Sequence, residues 1–73
     1  MIDIPLHKVE SSNLAAIGYD ATTRTLRVKF QDGRAYDHHD VSEGEYTEFD
    51  KAESKGRHYA DRFRNKNYQK VPT

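Results

Sequence analysis

Residues 26 to 33 constrain this chain more than any other stretch. Leu26, Val28 and Phe30 alternate with Arg27 and Lys29, and Asp32-Gly33 follows at once. Alternation of period two sends successive side chains to opposite faces, so the segment reads as a strand with one apolar face. Asp-Gly supplies the positive backbone angles of a tight type I′ turn, which folds the chain back on itself. A partner strand is expected from Arg34 to about Val41. Upstream, Ala15, Ile17 and Tyr19 share one side of an extended segment from Leu14 to Asp20, joined to the central strand by a loop at Ala21 to Thr23. These three strands form an antiparallel meander.

The period changes after Val41. Ser42 with Glu45 three residues later matches a capping box, which satisfies free amides at a helix start. The spacing predicts a helix from about Glu43 to Glu53, with Tyr46, Phe49 and Ala52 or Glu53 as its apolar stripe. Ser54-Lys55-Gly56 reads as a helix stop with Gly56 as a left-handed cap. A second helix follows from about Arg57 to Arg64. It puts Tyr59 and Phe63 on one face, and Arg57, Asp61 and Arg64 on the other at ion-pair spacing. The expected fold class is α+β, a three-stranded antiparallel β-meander covered by two short C-terminal helices. The expected organisation is an extended N-terminal arm over residues 1–8, a single domain over 9–68 and a flexible tail over 69–73.

The chain has 73 residues, of which 34% are apolar and 33% charged. A domain of this size buries only about 60% of the surface its unfolded chain exposes, which leaves little room for a deep enzymatic cleft. With no cysteine, disulfides and thiolate metal sites are excluded. The longest apolar run, Leu14 to Ile17, is far short of the roughly 20 residues that cross a bilayer. Met1 to Leu6 lacks the basic start and apolar stretch of a signal peptide, so the expected location is the cytoplasm.

Net charge is zero, yet the chain is electrically polar. Residues 1–53 carry 11 acidic and 6 basic side chains, whereas residues 54–73 carry one acidic and six basic ones. The acidic excess is densest from Asp37 to Glu53 and should repel nucleic acid. The basic set, Lys55, Arg57, Arg62, Arg64, Lys66 and Lys70, suits phosphates or an acidic protein surface.

The order Val9, Ser11-Ser12, Ile17-Gly18-Tyr19-Asp20, Leu26 to Phe30, Gly33, Tyr36, Val41, Tyr46, Phe49, Ala52, Ser54-Lys55-Gly56 and Tyr59 resembles the KTSC domain. That family is named from the C-terminus of certain lysyl-tRNA synthetases. The resemblance spans about residues 8 to 68. His38, Ser42 and Ala60-Asp61 depart from the usual pattern, where an aromatic, a proline and a polar-apolar pair are expected. The resemblance implies a small noncatalytic module loosely associated with RNA metabolism, and it supplies no catalytic residue. A chain of this length with such a body also resembles a small bacteriophage regulator that binds host RNA polymerase, inhibiting initiation and suppressing termination.

Chemical motifs are sparse. Asp37-His38-His39-Asp40 is the nearest approach to a metal site, but alternation on a strand leaves two ligands per face where imidazole sites usually need three or four. No strand-turn-helix elbow surrounds Ser11 or Ser12, and the isolated glycines form no phosphate loop. No enzyme activity, metal or cofactor is expected. Basic and aromatic residues interleave from Arg57 to Lys70 like a stacking platform, but Tyr59 and Phe63 are needed to dock their own helix. Tyr68 remains available. The leading expectation is a monomeric, noncatalytic regulator that binds bacterial RNA polymerase through Met1, Ile2, Ile4 and Leu6 of the arm and through Lys55, Arg57, Arg62 and Arg64. It would act by occlusion or restricted motion. The alternative is an RNA-associated accessory module.

Overall fold

The structure is a computed structural model that describes residues 4–72. The expected meander is present: β2 (Leu14–Asp20), β3 (Thr25–Phe30) and β4 (Ala35–His38) pair antiparallel in sequence order. The sheet has five strands rather than three, because β1 (His7–Lys8) adds to β2 and β5 (Tyr68–Lys70) adds to β4. Both extra strands are short and solvent-exposed. An edge of this kind shows no apolar alternation, which is why neither end of the chain read as a strand. Residues expected as arm and tail are thus partly built into the sheet.

The β3–β4 turn differs from expectation. Within this turn Gly33 alone has a positive φ, +95°, and its amide donates to the Phe30 carbonyl while the Phe30 amide donates to the Arg34 carbonyl. That is a three-residue connection with glycine at the left-handed position, not a type I′ turn, which would need positive φ at Asp32 too. Asp32 instead accepts from the Arg34 amide and guanidinium.

Register decides which side chains share a face. Leu14 opposes Phe30, Ile17 opposes Val28, Tyr19 opposes Leu26, and across the next ladder Val28 opposes Tyr36 and Leu26 opposes His38. This face is covered by α1 (Glu43–Lys51) and α2 (Lys55–Arg62). The core consists of Leu14, Ile17, Leu26, Val28, Val41, Phe49, Tyr59 and Phe63. The opposite face carries Gly18, Arg27 and Asp37 in register, with the Arg27–Asp37 ion pair at 2.7 Å. There the chain at Ile4 to Leu6 lies against Gly18. A Cβ at that glycine would collide with the Pro5 carbonyl oxygen and touch Leu6 and Ile4.

The capping box at α1 is complete: Ser42 Oγ accepts from the Glu45 amide and the Glu45 carboxylate accepts from the Ser42 amide. α1 ends at Lys51, with Ala52 already extended, so Ala52 and Glu53 lie beyond its stripe. The break between helices comes from Ala52 and from Ser54, whose hydroxyl caps α2. Gly56 is not the stop. It lies inside α2, where a Cβ would sit 2.5 Å from Asn13 Oδ1, so glycine lets the helix approach the start of β2.

Candidate binding surface

α2 is amphipathic. Tyr59 and Phe63, four residues apart, are buried as the spacing predicts. Tyr59 also carries a polar contact: its hydroxyl donates to His38 Nε2 at 2.9 Å, and His38 Nδ1 donates to the Lys66 carbonyl at 2.8 Å. The Lys66 carbonyl can only accept, so Nδ1 carries a proton, and in the neutral ring that leaves Nε2 to accept from Tyr59. Burial lowers the pKa of His38 and raises that of Tyr59. His38 is fully buried, because β5 and α2 both close over it.

Between the flank of α2 and the end of the sheet runs a groove of about 450 Å³. Its floor is a row of aromatic rings taken from successive strands and α2. Phe30 meets Tyr36 edge-on at 5.8 Å and Tyr59 at 5.5 Å, and Tyr36 meets Tyr68 at 5.9 Å. Phe30 and Tyr36 are half-buried, whereas Tyr68 is 60% exposed. Gly56, Ala60 and Arg64 form the helix wall, and Asn13 and Arg34 complete the lining. The Arg34 guanidinium lies 5.6 Å from the Phe30 ring centroid, within range of a cation–π contact.

The predicted site residues are dispersed. Met1 and Ile2 lie outside the described residues. Ile4 is buried at 3% exposure, so it cannot insert into a partner without leaving its own domain, while Leu6 stays 38% exposed. Lys55 is half-buried and its ammonium donates to the Ala52 carbonyl. Arg57 and Arg62 are exposed on α2, and Arg64 lines the groove. The expected pairs of Asp61 with Arg57 and Arg64 are not formed, and among the described residues these arginines and Arg62 have no ion-pair partner. Asp37 pairs with Arg27 and Asp40 with Arg24. Among the described residues no group of three or more His, Asp or Glu is arranged to hold a metal. Among the described residues no helix is long and apolar enough to cross a membrane.

Sequence reasoning missed Phe30, Tyr36, Arg34 and Asn13 as groove residues. The signal was the hairpin itself: Phe30 before the turn and Arg34 and Tyr36 after it fall on neighbouring strands of one face.

The profile of the KTSC domain matches residues 10–68. Among solved structures, the chain is similar to a KTSC domain protein of Yersinia pestis, with 29% identity, a TM-score of 0.88, and coverage of 96% of this chain and 100% of that one. No functionally curated protein matches the sequence.

Proposed function

From the premise that this chain belongs to the KTSC domain family, we propose that it is a noncatalytic regulator of the bacteriophage type that binds bacterial RNA polymerase, inhibits initiation and suppresses termination. The observation that carries this reading is the sorting of charge onto two adjacent helices. α1 and its end expose Glu43, Glu48, Asp50 and Glu53 against one cation, Lys51, while α2 and its end expose Arg57, Arg62 and Arg64 against one acid, Asp61. A bipolar surface orients a small protein on a large partner bearing both signs, and complementarity of this sort sets docking geometry and association rate. The contact is assigned to Arg57 and Arg62 first, with Lys55 holding the start of α2. The N-terminal segment acts by shaping the sheet edge rather than as a free arm, since Ile4 is buried.

The test is promoter-dependent transcription by purified polymerase with added protein. Wild type should reduce initiation and increase readthrough at a terminator. Arg57→Glu/Arg62→Glu should lose both effects with its circular dichroism unchanged. Full activity of that variant would remove the basic face from the account.

The RNA-associated module is the second reading, favoured by the aromatic groove on the other flank of α2.

A further inference from the structure

We propose that the groove binds single-stranded RNA and that Asn13 makes it prefer keto bases, uracil and guanine, over the amino bases adenine and cytosine; this rests on the second reading above. Strand order places Asn13, Phe30, Tyr36 and Tyr68 in sequence across the sheet, from the start of β2 through β3 and β4 to β5. At about 4.8 Å per strand the row is about 14 Å long. Sheet-borne aromatic rings in a row are a general way to stack unpaired bases. Tyr68, with its large exposed ring, is the leading platform. Arg64 lines the groove, Arg34 lines it while paired with Asp32 at 2.8 Å, and Lys70 lies beside Tyr36 in register, so Arg64 and Lys70 are the cations that border the row where a phosphate backbone would pass. The acidic residues of α1 do not line it. RNA is favoured over DNA because its unpaired bases are available in loops and ends, whereas DNA bases are mostly held in duplex.

The selectivity comes from how Asn13 is held. Its Oδ1 accepts the Ser11 hydroxyl proton at 2.9 Å. The orientation is forced, because Ser11 Oγ already accepts from the amides of Leu14 at 3.2 Å and Asn13 at 3.4 Å, so its remaining capacity is its proton. The Asn13 oxygen is therefore turned toward Ser11 and packed against Gly56, where a Cβ would come within 2.5 Å of it, while the Nδ2 hydrogens have no partner among the described residues. Asparagine recognises adenine by using oxygen and nitrogen together. Here Ser11 and Gly56 crowd the oxygen, and the donor half is the accessible one. A donor suits the oxygen at position 4 of uracil or position 6 of guanine, and meets repulsion from the amino group that cytosine and adenine carry at those positions.

The experiment is fluorescence anisotropy of labelled oligouridylate, oligocytidylate and oligoadenylate, with oligodeoxyuridylate as the DNA arm. Wild type should bind oligouridylate about 3- to 10-fold more tightly than the other two RNAs, the effect of one hydrogen bond, and its affinity should fall with salt. Asn13→Ala should equalise the RNAs and Asn13→Asp, an acceptor, should reverse the order. Tyr68→Ala should weaken all of them. Binding of no RNA would overturn the second reading and the inference together. Equal affinities in wild type, or a uridine preference that survives in Asn13→Ala, would overturn the inference alone. Tighter binding of the DNA would overturn the assignment to RNA.

Discussion

Gly18 and His38 show how single positions govern this small domain. Gly18 has no side chain because the carbonyl of Pro5 occupies the space its Cβ would take. Gly18→Ala should therefore push the N-terminal segment off the sheet and cost about 1–3 kcal/mol, the usual effect of overfilling a packed site, measured by urea unfolding. His38 sits between Tyr59 and the Lys66 carbonyl, with Phe63 and Tyr68 rings nearby and Asp37, His39 and Lys66 contributing charge. Its pKa is lowered from 6.5, chiefly by burial. As pH falls through that value the unfolded chain takes up the proton more readily than the folded one. Stability is thus full above the ordinary histidine range and declines below it. The melting temperature should drop between neutral and mildly acidic pH, and His38→Gln should flatten that drop. An unchanged pH profile in His38→Gln would assign the effect to other groups. Glu45, held below its ordinary range by the Ser42 amide and then by Lys66, adds a second loss at lower pH.

Elements with strong local signals were legible in the sequence. The Leu26 to Phe30 alternation, the turn at Asp32-Gly33 and the capping box each depend on residues within a few positions, and β3, the hairpin and the start of α1 lie where they were expected. Ser42→Ala removes the side chain that accepts the Glu45 amide. It should cost about 1 kcal/mol, seen as a lower denaturation midpoint at unchanged slope. The edge strands were not legible, since His7–Lys8 and Tyr68–Lys70 are exposed and owe their conformation to the strands beside them. The groove was unreadable for a related reason. Its lining runs from Asn13 to Tyr68, and only the register of three strand pairs brings those residues together. Tyr59 and Phe63 were assigned to the core correctly because helical spacing alone decides that.

The whole molecule is a sheet whose two ends are tied to α1. His7 Nε2 donates to Asp50 at 2.9 Å and the Lys66 ammonium donates to Glu45 at 3.0 Å. Both terminal segments thereby meet the acidic helix, while among the described residues Arg57 and Arg62 on α2 and Arg64 just after it have no ion-pair partner. Ile4→Ala should open the N-terminal segment and lower stability by about 2 kcal/mol. Such a loss would make the segment a structural strap, and a neutral result would return it to the list of partner contacts. The direct test of the central claim is co-sedimentation of the purified protein with purified bacterial RNA polymerase in nuclease-treated samples. Stoichiometric, salt-sensitive binding by wild type that Arg57→Glu/Arg62→Glu abolishes and Tyr68→Ala retains is the predicted result. Absence of binding by wild type, or undiminished binding by the double variant, would contradict it.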